Sequence, residues 1–267
     1  MKRFLLLCSV AFALCSAAAE RVISLSPSLT EAICLLGGES MLIGRTDSCT
    51  EPASVVRLPS VGKFLSPSME RIAALAPTLV VSTPQPGRGT AQLLTSLGIR
   101  FEELSDHTLA DYPALLRRLG RLLNLPAGER EAALAEKRLA HLRHQAESIP
   151  ENRKVKVLFL AGIDPAIAAG QRSFIHPMIE LAGGKNLAGS LNRAYVTVSP
   201  EWIAEQQPDL ILIPDAVATL PEWLKLLPVR TLPDPDLVCR LGPRLFQGIE
   251  QLKHILQNSA KGDTSCH

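Results

Sequence analysis

Short apolar runs alternate with mixed, leucine-punctuated stretches along this chain from Arg21 onward. Val22-Ile23-Ser24-Leu25, Leu42-Ile43-Gly44, Leu79-Val80-Val81 and the segment from Gly98 to Leu104 have the length and side-chain content of buried strands. Between them, Ser28-Leu29-Thr30-Glu31 reads as a capping box that opens a helix ending at Gly37-Gly38. A further helix is predicted from about Ala110 to Leu123. Such alternation builds a parallel sheet with helices on its faces. It pauses between Ala127 and Ser148, which has no Gly or Pro after Gly128 and carries Leu134, Leu139 and Leu142 as a sparse apolar stripe. One long helix is predicted there. The alternation resumes with a strand at Val155 to Leu160, a helix near Pro177 to Leu181 closed by Gly183-Gly184, and a last helix from Pro243 to Gln257.

One αβ unit occurs twice. Glu70 to Val81 and Glu201 to Leu212 share Glu, Ile, Ala, Pro and Leu at identical spacing, 131 positions apart. Ser-Pro stands ahead of each copy, at Ser66-Pro67 and Ser199-Pro200, which suits a hydroxyl-capped helix start. The internal proline stops the helix and an apolar strand follows. The expected fold class is therefore α/β, with two similar lobes, each a mainly parallel sheet with flanking helices, joined by one long helix. The expected divisions are a leader over 1–19, an N-terminal lobe over 20–125, the linking helix over 126–150, a C-terminal lobe over 151–258 and a flexible tail over 259–267. A single helical connector permits only small closure. Ligands of open α/β sheets sit beyond the carboxyl ends of the strands. The cleft should thus be lined by Ser26 to Thr30, Arg45 to Glu51, Thr83 to Arg88, Gly162 to Pro165 and Asp234 to Arg240.

Composition adds location. Met1-Lys2-Arg3, an apolar run from Phe4 to Leu14 and Ser16-Ala17-Ala18-Ala19 form the charged, apolar and small-residue parts of a cleaved secretory signal. The periplasm is the expected compartment. Lipidation at Cys15 is the competing outcome, opposed by bulky Leu14 before it. Removing Lys2 and Arg3 from 28 basic residues leaves 26 against 26 acidic ones, so the charge balance gives no reason to expect nucleic acid or an anionic membrane as partner. Cleavage leaves Cys34, Cys49, Cys239 and Cys266. In an oxidising compartment Cys34 and Cys49 are candidates for a disulfide, with buried free thiols as the alternative and Cys266 unpaired.

No catalytic signature is present: there is no G-x-S-x-G, Walker A loop, G-x-G-x-x-G or H-E-x-x-H. An enzyme is not expected. The histidines are scattered, and only His176 is placed to look into a cleft, which leaves a Zn or Mn carrier as a minor alternative. Glu70 and Glu201 each belong to a first helical turn, where a carboxylate complements the positive helix end. Their equivalence across two lobes also places one acidic group on each lobe for a pseudo-symmetric partner.

At these residues the chain resembles the single-helix-linked substrate-binding proteins of ABC importers for cobalamin, siderophore-bound iron and haem. The resemblance covers almost the whole mature chain. It is carried by Arg21 to Glu31, both repeat units, Leu97-Gly98-Ile99 and Ile179 to Asn186. In that family the first-turn glutamates of the two lobes engage arginines of the permease, and Glu70 and Glu201 match them. The nearest likeness is to the cobalamin-binding branch, through the loop Gly44 to Pro52. That likeness implies a ligand site at Ser28, Ser48, Phe64, Thr83, Gly162, Tyr195, Asp236 and Arg240. It departs from the branch at Thr83, where an aromatic is expected. Phe64 and Tyr195 would supply walls for a flat, amide-fringed ring. Arg45, Arg88, Arg172, Arg193 and Arg240 would instead suit haem propionates or an anionic siderophore. The resemblance implies no resident cofactor, cobalamin as transported ligand with ferric siderophore or haem as alternatives, and a monomer serving an ABC permease dimer with its ATPase.

Overall fold

The computed structural model describes residues 20–84, 89–215 and 219–260; the leader, Arg88, Cys266, His267 and the rest of the tail beyond Ala260 lie outside them. The first lobe runs β1 (Val22–Ser24), α1 (Pro27–Leu35), β2 (Leu42–Arg45), a hairpin of β3 (Gly62–Lys63) and β4 (Ser66–Pro67), α2 (Met69–Ala74), β5 (Leu79–Ser82), α3 (Thr90–Ser96) and β6 (Arg100–Glu103). Its sheet has the order β2-β1-β5-β6, parallel throughout. Helices cover both faces, so every residue of β1 and β5 is buried. The strand alternation sorts them: Val22, Leu79 and Val81 face one apolar cluster, Ile23 and Val80 the other.

Two helices, α4 (Asp111–Leu122) and α5 (Ala127–Glu147), lead into the second lobe. There follow β7 (Val155–Ile163), β8 (Ala166–Ala169), α6 (Ile175–Leu181), β9 (Gly184–Asn186), β10 (Tyr195–Thr197), α7 (Pro200–Gln206), β11 (Leu210–Ile213), β12 (Val229–Thr231), α8 (Pro235–Cys239) and α9 (Leu245–Ala260). The start of β7 pairs in parallel with β9 and β11, and β12 continues the sheet beyond β11. Its far end turns back on β8, which with β10 adds two antiparallel strands. This sheet is more mixed than the sequence suggests, because β7 is long enough to serve two neighbours along one edge. One apolar cluster joins the lobes, running from Leu29 and Leu116 through Ala132 and Leu139 to Phe159 and Ile249.

Several local expectations are corrected. Ser28 does not cap α1; Ser26 holds that position, with Pro27 opening the helix, and Glu31 is engaged elsewhere. In the first repeat the cap is Ser68, whose Oγ accepts the Arg71 N–H, while Ser66 and Pro67 form β4. Ser68 and Ser199 each stand two residues before the shared glutamate, so the repeat extends further than its matched residues. Each copy ends on a left-handed residue, Ala76 (φ 44°) and Gln207 (φ 49°), immediately before the proline. Proline disfavours the right-handed helical region for the residue ahead of it. In α5 the buried stripe is Ala132, Ala135 and Leu139, whereas Leu134 is 49% exposed.

Cys34 and Cys49 are free thiols, not a disulfide. In a parallel βαβ unit the helix runs back, so the end of α1 carrying Cys34 lies at the amino ends of the strands, whereas Cys49, after β2, lies at their carboxyl ends beside Ser24. Cys49 is buried with its Sγ 3.1 Å from Thr46 Oγ1. The Cys34 thiol is pushed up to about 11, by burial first and then by Glu39 and Glu31.

Helices α4 and α5 touch through glycines. A Cβ on Gly120 would lie 2.7 Å from the Gly128 Cα and 3.0 Å from the Leu125 carbonyl oxygen. Backbone atoms cannot rotate away as a side chain can. Gly120→Ala is therefore expected to destabilise by about 2 kcal/mol, overpacking outweighing the roughly 1 kcal/mol gain in helix propensity. Urea denaturation measures it; an unchanged midpoint would mean that the helices separate freely.

Candidate functional site

The carboxyl ends of the first-lobe strands present a chain of buried hydroxyls. Thr30 donates to Ser24 Oγ at 2.8 Å, Ser24 donates to the Ser26 carbonyl at 3.0 Å, and Ser26 and Ser28 share a hydrogen bond at 2.9 Å. Ser28 then donates to Asp106 Oδ2 at 3.3 Å. Asp106 lies on the loop between β6 and α4, beside the Thr83 loop that follows β5. That loop is pinned from behind, since Asp111 Oδ2 accepts from Ser105 Oγ (2.7 Å) and from the backbone N–H of His107 (3.0 Å) and Thr108 (2.9 Å). Burial alone would raise the Asp111 pKa, but these hydrogen bonds outweigh it and lower it. The Asp106 carboxyl is raised, chiefly because burial strips water from it, against the opposing effects of His107 and Ser28.

The second lobe brings α8 to the same place. Asp234 caps its first turn by accepting the Asp236 N–H at 3.0 Å, and Gln251 on α9 bonds both backbone groups of Asp234 at 3.0 and 2.9 Å. Asp236 and Arg240 form an ion pair at 2.9 Å. That Arg240 Nη1 is near enough for charge attraction yet poorly aligned for a hydrogen bond, and it is the one buried side-chain nitrogen or oxygen among the described residues without a hydrogen-bond partner. Just beyond, Gly242 packs on α1, where a Cβ would lie 3.3 Å from the Ser28 Cα. The lobes thus meet at Ser28 and Gly242. Beneath that contact Arg244 donates twice to Glu31, at 2.9 Å each.

Tyr195 opens β10 and is 45% exposed. Its phenol pKa is raised by burial first, then by the charges of Cys239 and Asp106. The other expected ligand residues stay on their separate strand-end segments. Ser48 is half-buried after β2, Phe64 half-buried at the β3–β4 turn, Thr83 buried after β5, and Gly162 sits near the end of β7 where pairing with β8 is irregular. Asp106 was missing from the expected set, although the rule that placed the other loops also covers the loop after the fourth strand. Arg244 and Glu31 left no local signal.

The arginines expected to receive ligand carboxylates are mostly engaged. Arg45 is buried and donates to the carbonyls of Val55 (3.0 Å), Thr46 (2.9 Å) and Val56 (2.8 Å). Arg172 donates to Asn192 Oδ1 at 2.8 Å, and Arg240 is paired with Asp236. Arg193 is exposed, and Arg88 lies outside the described residues. His176 Nδ1 lies 3.3 Å from the Asn186 amide nitrogen, and among the described residues no three His, Cys, Asp or Glu side chains converge in a way that would hold a metal ion. No helix among the described residues is long and apolar enough to cross a membrane.

On the outside of the lobes, Glu70 and Glu201 are exposed in the first turns of α2 and α7. The hydrogen bond from Ser199 holds the Glu201 carboxyl below the usual carboxylate range.

The sequence model of the family described as "Periplasmic binding protein" matches residues 22–222, most of the chain and both lobes. The chain belongs to that family. This periplasmic binding protein is similar to the vitamin B12-binding protein of Pectobacterium carotovorum subsp. carotovorum, at 30% identity over 270 residues, covering 98% of this chain and 95% of that one. It superposes on the periplasmic vitamin B12-binding protein BtuF of Vibrio cholerae with a TM-score of 0.75 at 26% identity, over 91% of this chain and 98% of that chain. The apo periplasmic haem-binding protein RhuT of Roseiflexus sp. RS-1 gives 0.75 at 28% identity, over 91% and 99%. The periplasmic binding protein thus falls in the class that serves ABC importers of cobalamin, haem and siderophore-bound iron, a class of transport proteins that work outside the cytoplasm and deliver ligand to a permease and its ATPase. The shared fold does not distinguish corrinoid from haem.

Proposed function

We propose that this protein captures cobalamin or a related corrinoid between its lobes and hands it to an ABC permease, making and breaking no bond itself. The observation that carries this reading is the engagement of buried Arg45 by three backbone carbonyls and of Arg240 by Asp236, which withdraws two of the cations a dicarboxylate such as haem would use. A neutral amide fringe asks instead for hydroxyls, backbone groups and an apolar wall. Ser28, Ser48 and Thr83 would supply hydroxyls and Gly162 a backbone group, the Asp236–Arg240 pair would meet amides with its remaining donors and acceptors, and Phe64 and Tyr195 would form the wall. The relative at 30% identity supports the same ligand. The working parts would be the lobes over 20–125 and 151–258, held by the helix over 126–150 in a monomer. Affinity would come from burial between lobes already nearly in place, so little ordering cost offsets the contacts.

Haem is the second reading, favoured by the likeness to RhuT and by the half-exposed Tyr195 phenol. Calorimetric titration with cyanocobalamin, haem and a ferric siderophore, each followed by absorption spectroscopy, tests the two readings. Saturable binding of one cyanocobalamin, tighter than haem by at least tenfold, is expected. Preferred binding of haem with a phenolate-to-iron band would replace the corrinoid reading.

A further inference from the structure

The acidic side chain at the first-lobe floor has no place in the set of ligand residues that the sequence suggested. Asp106 lies within hydrogen-bond distance of Ser28, and Ser28 is the residue on which Gly242 of the second lobe rests. The carboxylate therefore stands beside the contact between the lobes. Its position is held by three hydrogen bonds from its own loop to Asp111, so it is presented on a fixed support and not on a swinging side-chain stalk. Among the described residues no ion pair neutralises it, whereas Asp236 across the floor is paired with Arg240. A carboxylate in that place accepts hydrogen bonds and offers none. It repels ligand carboxylates and receives the N–H groups of ligand amides.

We propose that Asp106 is a specificity-determining residue that selects ligands whose rim carries amides over otherwise equal ligands whose rim carries carboxylates. This deepens the corrinoid reading and rests on it. Two like charges about 6 Å apart, in surroundings between bulk water and a protein surface, discriminate by about tenfold or more. The raised pKa of Asp106 agrees with a group already short of water, whose field is less screened than that of a surface carboxylate.

The test compares cyanocobalamin with its singly hydrolysed monocarboxylates, each isomer separately, so that the ring is constant and one amide becomes an acid. Wild-type protein is expected to bind the isomer that turns its acid toward the floor about tenfold more weakly than cyanocobalamin. In Asp106→Asn that gap should close to within twofold, and in Asp106→Ser it should close likewise, which guards against a peculiarity of one replacement. Raising the salt should narrow the wild-type gap and leave that of the variants unchanged. A structural role alone would weaken all ligands together and leave the ratio where it was. Gaps equal in wild type and both variants for every isomer would overturn the proposal while the corrinoid reading stands. Failure of wild-type protein to bind cyanocobalamin at all would overturn that reading, and this inference with it.

Discussion

Arg244→Ala is expected to destabilise the protein by about 3 kcal/mol, the lower end of the range for breaking a buried ion pair. Glu31 is 7% exposed and Arg244 22%, and the guanidinium meets the carboxylate with two donors at 2.9 Å. Removing the arginine leaves a buried carboxylate that has lost its water and its counter-charge together, and this desolvation governs the cost. The pair joins α1 in the first lobe to the start of α9 in the second, one layer below the Ser28–Gly242 contact. It should hold the lobe angle as well as the fold. Chemical denaturation measures the first effect and small-angle scattering the second, with the variant expected to be more open and less cooperative. A double-mutant cycle with Glu31→Gln separates the pair's coupling from the penalty of the orphaned charge. A loss below 1 kcal/mol would mean that water reaches Glu31 and that the staple is idle.

Uptake, in contrast with binding, should collapse when Glu70→Ala and Glu201→Ala are combined. Both carboxylates are exposed in the first turns of equivalent helices and neither joins the hydrogen-bonded floor, so ligand affinity should stay within about twofold while transport by the reconstituted permease is lost. Each glutamate adds only about 0.3–1 kcal/mol to its own helix through the dipole. Folding should therefore survive both changes. Each single variant should transport at an intermediate rate, because a carrier gripped at one lobe still docks but is not pulled apart. Weakened ligand binding with unimpaired docking would show that the two roles have been exchanged.

The bilobal plan and most elements were legible because their causes are local. Apolar runs at Val22, Leu79 and Leu210, the break before Pro77 and Pro208, and the unbroken stretch after Gly128 each report on a few neighbouring residues. The small elements were harder to read. The alanine-rich strand β8 has no alternation to reveal it, and it forms because the end of β7 offers it an edge. Ser66-Pro67 resembled a helix start, yet the same two residues pair with Gly62 and Lys63, and Ser68 takes the cap. In the cleft, Ser28, Asp236 and Arg240 were named from a resemblance, but their arrangement about Gly242 and Asp106 was not.

From its residues alone this chain specified two αβ lobes, a long connecting helix and a duplicated glutamate-bearing helix, all features written in spacing along a few turns or strands. Tertiary structure alone decided that Cys34 and Cys49 lie at opposite ends of the strands, that Arg45 is engaged by backbone carbonyls, and that Glu31 is neutralised by a partner 213 residues away. Periodicity records how a segment buries itself. Which distant charge or hydroxyl it meets depends on how whole elements pack, and packing energies are summed over both lobes.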